Sequence, residues 1–435
     1  MSVSRSDSAD NHTVRVGVLG YGTVGAELVG QLTARSNAIA ARTGITLCVT
    51  RVAVRDTNKK RPGLSRHQLM ATPAEVVGAD DVDLVVELMG GLEPARSAIL
   101  ASLAAGKPVV TGNKELLASH GPQLFAAADR AGVDLLFEAA VGGGIPLIRP
   151  LRESLVGEAI TRLLGIVNGT TNFILTRMSE SGADFHEALA EAQLLGFAEA
   201  DPTADVGGHD AASKAAILAS IAFGARVTGK DVSREGIEGI TPNDVAFAAR
   251  LHHVIKLLAV AEEINGALSV RVYPAMLPTT HPLAAVRESY NAVVVEGSSV
   301  GRLMFYGRGA GGAPTASAVL GDVIDAAVNL RKGTHASLGT LIRLPKRAAD
   351  ELTSAFYLNI EVTDQPGVLA AVANTFGHHA VSIRSMEQEG LGADARIIFI
   401  THEARETSMA ACLRQLRRLG AVKRVVSVLR VVEDH

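Results

Sequence analysis

The stretch GFAEADPTADVGGHDAASK, residues 196–214, places carboxylates at Glu199, Asp201, Asp205 and Asp210 and ends on Lys214. Asp210 and Lys214 are four apart, so on a helix they share one face. In solvent such a pair is a surface ion pair worth roughly 0.2–0.5 kcal/mol. Inside a site, carboxylates can hold the ammonium of a zwitterionic substrate while the lysine moves a proton. An alcohol dehydrogenation needs such a proton carrier: a base takes the hydroxyl proton as hydride leaves the carbon. No residues are spaced as zinc ligands to take its place. Lys114, at the end of Val109-Val110-Thr111-Gly112-Asn113-Lys114, is a second candidate. At that position it is either a surface lysine or, at the nicotinamide end of a cofactor, a group that orients substrate or carries protons.

A nicotinamide is the natural hydride acceptor, and the N-terminal region has the means to bind one. Val14 to Leu19 is a short β-branched run, followed by Gly20-Tyr21-Gly22-Thr23-Val24-Gly25 and then a helical pattern from Ala26. A GxGxxG between a strand and a helix is a dinucleotide fingerprint. Gly20 permits the tight turn, Gly22 lets the backbone approach a pyrophosphate, and Gly25 allows close packing of helix on strand. Thr23 and Val24 lie between them at the helix N-terminus, which faces the phosphates. The second strand, Leu47 to Val54, ends on Arg55-Asp56. Arg55 suits the 2′-phosphate of NADP and Asp56 the ribose of NAD; NADP is favoured, with NAD possible.

Further strands at 82–89, 108–114 and 133–138 alternate with helical stretches, the pattern of an α/β, Rossmann, doubly wound parallel sheet over 14–136. Beyond it, an α+β substrate and dimerisation domain is expected over 137–312. Glu138-Ala139-Ala140-Val141-Gly142-Gly143-Gly144-Ile145 exposes main-chain groups that suit a cofactor clamp, a hard cation such as Na+ or Ca2+, or a plain hinge. Asn168-Gly169-Thr170-Thr171-Asn172 is small and polar between a strand and a helix, suited to capping or to ligand contact. Gly307 to Val319 is a glycine loop opening an apolar helix, which at Gly312 can again face a cofactor; this helix, 313–345, is expected to return to the nucleotide-binding domain. His252 and His253 are adjacent and so point to different helix faces; they read as structural, as do His378 and His379.

The chain has 435 residues, enough for two to three domains of about 100–200 residues each. Its net charge of −3 and lack of tryptophan argue against a nucleic-acid or anionic-membrane partner. Two cysteines, Cys48 and Cys412, exclude a disulfide framework and fit a reducing cytoplasm. Residues 1–13 are polar, read as a disordered tail rather than a signal peptide, and no apolar run reaches the ~18 residues of a membrane span.

Taken in order, GYGTVG, ELMGG (87–91), VVTGNKELLA (109–118), EAAVGGGIP (138–146), NGTTNFIL (168–175), the acidic block at 196–214 and GRGAGGAPTASAV (307–319) resemble homoserine dehydrogenase. Gly112 departs slightly, standing where that family often has alanine, as does the run at 141–144. The resemblance implies that Lys214 and Lys114 are catalytic, with Lys214 the proton carrier. It implies substrate contacts at Glu199 and Asp210 supported by Asp205, and a Na+ site on oxygens of Glu138, Val141, Gly143 and Ile145. The implied reaction is L-homoserine + NAD(P)+ ⇌ L-aspartate 4-semialdehyde + NAD(P)H, on the route to threonine, methionine and isoleucine, in a homodimer or tetramer.

After a polar linker at 346–354, the segment 355–435 reads β-α-β-β-α-β, the ferredoxin-like order. Its turn Asp364-Gln365-Pro366-Gly367-Val368-Leu369 resembles that of an ACT domain. This implies an amino-acid effector near Asp364, Pro366, Gly367, Val368 and Leu369, with threonine the natural candidate; a purely structural dimerisation domain is the other reading. Two other functions compete for the whole chain. A phosphorylating semialdehyde dehydrogenase needs a cysteine nucleophile that neither Cys48 nor Cys412 is placed to supply. A regulator that has lost catalysis would not need both lysines.

Overall fold

The computed structural model describes residues 12–390 and 395–432; the expected tail lies outside them up to residue 11. The chain forms two compact units. One comprises residues 1–158, 216–230 and 305–343, the other 159–215, 231–304 and 344–435.

The first unit begins β1 (Thr13–Leu19), α1 (Thr23–Thr43), β2 (Thr46–Ala53), β3 (Leu69–Met70), α2 (Pro73–Val77) and β4 (Leu84–Glu87). It continues α3 (Ala95–Ala104), β5 (Val109–Thr111), α4 (Lys114–Ala131) and β6 (Leu135–Leu136). The strands pair in parallel in the order β3-β2-β1-β4-β5-β6. The order reverses direction at β1 and β4, and it is outside the carboxyl ends of strands at such a switch point that α/β sheets bind ligands. Both faces of the sheet are covered, so β1 and β4 are near-continuous runs of buried Val and Leu. The strand expected over 133–138 stops at Leu136. The Glu138 N–H donates to Asp322 at 2.7 Å instead of to a neighbouring strand, and residues 138–140 turn into a 3₁₀ helix.

The second unit begins β7 (Ile160–Ile166), α5 (Gly169–Ser181), α6 (Phe185–Leu194), α7 (Thr203–Val206) and α8 (His209–Ala222), whose last turns belong to the first unit. There follow β8 (Ser233–Arg234), α9 (Pro242–Arg250), β9 (His253–Ile264), β10 (Ala267–Pro278), β11 (Tyr290–Gly297) and β12 (Gly301–Arg308). Asn265 and Gly266 both adopt positive φ, as a two-residue hairpin between two long strands requires. Helix α10 (Gly312–Lys332) returns to the first unit.

The C-terminal segment runs β13 (Thr353–Val362), α11 (Val368–His378), β14 (Ile383–Glu389), β15 (Arg396–Thr401), the short β16 (Ala404–Arg405), α12 (Glu406–Leu416) and β17 (Val422–Val431). Its sheet order, β17-β13-β15-β14, is that of a ferredoxin-like fold. It does not stand apart from the preceding sheet: β17 pairs in parallel with β10 at Ala275–Arg430 and Met276–Val431, giving one continuous order β12-β11-β7-β9-β10-β17-β13-β15-β14. Among the described residues no helix is long and apolar enough to cross a membrane.

Candidate active site

A cleft of about 590 Å³ opens over the ends of β1, β2 and β4, lined by Gly20, Tyr21, Gly22, Arg55, Arg61 and Gly90 among others. Each fingerprint glycine has a distinct steric reason. Gly20 has φ of 104°, and a Cβ there would lie 2.7 Å from the Leu88 carbonyl oxygen. A Cβ on Gly25 would lie 2.4 Å from the Gly20 carbonyl oxygen, so α1 can sit this close only with glycine. Gly22 has no neighbour within 4 Å of its absent Cβ, leaving the backbone open to the cleft. Helix α1 starts at Thr23 with Val24 next, and has no acidic residue in its first turn to oppose an anion. Gly312, at the start of α10, packs against Thr23, since its Cβ would be 2.9 Å from Thr23 Cγ2. Two helix N-termini thus stand side by side at this end of the unit.

Arg55 lies at the cleft, as its sequence position suggests. Asp56, the competing residue, is turned to its own loop, where Oδ1 accepts the Asn58 N–H at 2.9 Å. Arg61 lies outside the fingerprint and the second-strand end. It also lines the cleft, with its guanidinium 5.8 Å from the centre of the Tyr21 ring. Only the run Lys59-Lys60-Arg61 hinted at it.

Lys114 is the first residue of α4 and is exposed. A cation is disfavoured by the helix dipole there, so its place is not one that stability selects. The approach to it is held rigidly. The fully buried Glu87 accepts from the Met89 and Gly90 N–H groups at 2.7 and 3.2 Å and from Thr111 Oγ1 at 2.6 Å. Thr111 Oγ1 accepts the Asn113 N–H, and Asn113 caps α4 while donating to the Gly91 carbonyl at 2.7 Å. Glu87 and Asn113 are buttresses that sequence alone showed only as members of motifs.

In the second unit the acidic block closes into a cluster. Lys214 Nζ is 2.7 Å from Asp210 Oδ2 and donates to the Val167 carbonyl at 2.6 Å. Both residues are only 8 % exposed, so this is no solvated surface pair. Asn168, the N-cap of α5, uses both amide hydrogens, one on Asp205 Oδ1 at 2.7 Å and one on Asp210 Oδ2 at 2.9 Å. Its Oδ1 accepts the Thr171 N–H at 2.8 Å, which fixes the side-chain orientation. One small residue therefore aims two carboxylates. The polar loop at 168–172 was the only sign of this in the sequence. Glu199 sits on the exposed stretch after α6, its carbonyl accepting from Gln193 Nε2 at 3.0 Å.

The glycine run at 142–144 is a close-packing device within the first unit. Gly143 has φ of 56°, and a Cβ there would lie 2.5 Å from the Gly309 carbonyl oxygen; at Gly144 it would lie 2.9 Å from Pro314. The Glu138 carboxylate accepts the N–H groups of Leu147, Ile148 and Arg149 at 2.5, 2.7 and 2.8 Å. Among the described residues no group of three or more His, Cys, Asp or Glu side chains is arranged to hold a metal. A cation at Glu138, Val141, Gly143 and Ile145 would rest on main-chain oxygens. His252 and His253 are not helical: His252 occupies the turn after α9 with φ of 55°, and His253 begins β9.

In the C-terminal segment, Asp364, Pro366 and Gly367 are exposed on the turn before α11, while Val368 is buried in the local core with Leu369 packed on it. Cys412 is fully buried in that same core, and burial pushes its thiol up to about 12, which rules it out as a nucleophile at neutral pH.

Family models match most of the chain: Homoserine dehydrogenase over residues 146–324, Homoserine dehydrogenase, NAD binding domain over 20–138, and ACT domain over 356–421. The homoserine dehydrogenase of Corynebacterium glutamicum is 49% identical over 427 residues, covering 97% of this chain and 96% of its own. That of Mycobacterium tuberculosis is 48% identical over 434 residues, 97% and 98% of the two chains. The crystal structure of a homoserine dehydrogenase from Thiobacillus denitrificans superposes with a TM-score of 0.92 at 40% identity, covering 97% of this chain and 98% of that one. A hyperthermophilic archaeal homoserine dehydrogenase in complex with NADPH matches 72% of this chain and 97% of its own, with a TM-score of 0.63 and 28% identity. The dinucleotide cleft, the buried lysine–carboxylate cluster and these matches lead to one assignment: the chain belongs to the homoserine dehydrogenases, NAD(P)-dependent oxidoreductases of a CH–OH group, and carries a C-terminal ACT domain.

Proposed function

We propose that this enzyme interconverts L-homoserine and L-aspartate 4-semialdehyde with Lys214 as its proton carrier. The observation that carries this reading is the buried Lys214–Asp210 pair clasped by Asn168. The nicotinamide of the bound cofactor supplies the hydride acceptor. In homoserine oxidation the hydroxyl proton passes to the Lys214 amine while hydride leaves the carbinol carbon; in the reverse direction the ammonium returns that proton to the aldehyde oxygen. Glu199 and Asp210, supported by Asp205, hold the substrate ammonium. Lys114 is the second proton-handling or orienting group. Initial rates with L-homoserine and each cofactor test the reading, and no turnover with either NAD+ or NADP+ sinks it.

NADP is the preferred cofactor in this proposal. Arg55 and Arg61 both lie at the cleft, and Asp56 is engaged in its own turn. A hydrogen bond to a charged group contributes about 1.5–3 kcal/mol, so R55A and R61A should each raise KM for NADP+ roughly 10- to 100-fold. KM for NAD+, which has no 2′-phosphate, should stay within about threefold. Equal effects on both cofactors would show that these arginines do not read the phosphate. A Na+ at the 138–145 loop belongs to the same proposal, held by main-chain oxygens.

The ACT domain is proposed to bind threonine at the exposed turn Asp364–Gly367, with Val368 and Leu369 supplying the packed base of the turn. Its support is the turn geometry: Gly367 has φ of 89° and heads α11, whose N-cap carries no side-chain hydrogen bond. Inhibition by millimolar threonine that D364A removes is the expected result. Rates insensitive to threonine in the intact chain would leave the domain a structural one. A homo-oligomer, dimer or tetramer, is proposed because β12 ends the sheet and carries exposed Met304 and Tyr306.

A further inference from the structure

Lys256 is a buried cation outside the proton-transfer cluster. It sits on β9, only 4 % exposed, and no carboxylate lies within ion-pair distance of its ammonium among the described residues. Nζ donates to Asn172 Oδ1 at 2.9 Å and to the Val286 carbonyl at 2.6 Å. Asn172 in turn donates to the carbonyls of Val286, Glu288 and Tyr290 at 3.3, 2.8 and 3.3 Å. These contacts fasten the loop 286–290 to the first turn of α5. The fit is close: a Cβ on Gly169 would lie 2.7 Å from the Ser289 carbonyl oxygen. One turn before Asn172, on the same helix, is Asn168, which aims Asp205 and Asp210. The loop leads into β11, which pairs with β7, and β7 ends beside Val167, the carbonyl that accepts from Lys214.

We propose that Lys256 is a positioning residue for the substrate site, fixing the first turn of α5 through Asn172 so that Asn168 presents the Asp205 and Asp210 carboxylates. This rests on the reading of the Lys214 cluster as that site. A buried ammonium is a costly way to fasten a loop, since methionine would fill the same space without desolvating a charge. Burial pushes Lys256 down to about 8; of the charged groups around it, Glu180 on α5 acts the other way and Arg287 on the loop adds to the fall. At pH 7 the folded protein therefore holds a dry cation. The unfolded chain binds the proton more tightly, so stability rises with pH between about 8 and the ordinary lysine value of 10.5.

The test is a double-mutant cycle on the full chain with K256M and N172A, two variants that break the same link from opposite sides. KM for homoserine should rise roughly 10- to 100-fold in each, with cofactor binding, read by NADPH fluorescence, unchanged. In the double variant the effects should not multiply. The unfolding midpoint of K256M at pH 7 should not fall, and its rise with pH above 8 should vanish. Unchanged homoserine kinetics in either variant, multiplying effects in the double, or a parallel weakening of cofactor binding overturns the proposal. K214R, measured beside them, tests the site itself, so failure of that reading shows separately.

Discussion

K214R should fold, bind NADPH and turn homoserine over roughly 10²- to 10⁴-fold more slowly than the intact enzyme, the range expected for loss of general acid–base catalysis. Arginine is the informative replacement. It keeps the positive charge that the buried Asp210, 2.7 Å from Nζ, requires, so the ion pair survives. It does not give up a proton at any working pH, so it cannot serve as base. K214A confounds the two, because removing one partner of a buried pair costs about 3–5 kcal/mol and strands the other charge. Loss of rate in K214R with an unchanged unfolding midpoint assigns the proton to Lys214. A rate within tenfold of the intact enzyme moves the proton elsewhere, with Lys114 the next residue to substitute.

The parts of this protein that are short-range in sequence were the legible ones. The fingerprint glycines, the alternation of strands and helices and the β-α-β-β-α-β tail each encode their conformation within a few residues, and the sheet orders follow. Asp210 and Lys214 were legible as a pair because helix geometry fixes the i,i+4 relation. Burial was not, since nothing in GGHDAASK tells a solvated face from an enclosed one; the composition of that stretch favours the solvated reading. Long-range partners were the least legible. Asn168 meets Asp205 across 37 residues and Asp210 across 42, and Lys256 meets Asn172 across 84. The β9–β10 hairpin left a local trace in Asn265-Gly266, a two-residue turn signal between apolar runs. The addition of β17 to β10 left none: a parallel pairing of two residues between distant strands has no periodicity of its own.

D244A should lower the apparent unfolding midpoint by roughly 10 °C, while Y357F lowers it by only a few degrees. Asp244 is fully buried at the start of α9. One oxygen accepts from Thr241 N and Oγ1 at 2.9 and 2.7 Å, completing the helix cap. The other accepts from Tyr357 Oη on β13 at 2.8 Å, Asn359 Nδ2 on β13 at 3.0 Å and Ser427 Oγ on β17 at 2.6 Å. A single carboxylate thus joins the cap of α9 to two strands of the C-terminal domain. Buried, and beside so strong an acceptor, the Tyr357 hydroxyl is held well above its ordinary range and stays a donor. Alanine leaves three buried donors unmet and removes the reciprocal half of the capping box, since Thr241 Oγ1 still accepts the residue-244 N–H; at about 1–3 kcal/mol for each unmet group, partial relaxation brings the sum near 3–5 kcal/mol. Removing the tyrosine hydroxyl alone leaves Asp244 with its other donors and costs about 1 kcal/mol. The comparison separates a hub from a set of independent bonds. If Y357F falls as far as D244A, the cost lies in the one hydroxyl–carboxylate bond and not in the carboxylate's other donors, since phenylalanine keeps the ring packed against Phe247, 5.5 Å between ring centres. If D244A falls alone, α9 and the strands β13 and β17 melt as one body. Any ligand that shifts those strands then acts on α9, which packs on α5, the helix whose cap aims the Asp205 and Asp210 carboxylates.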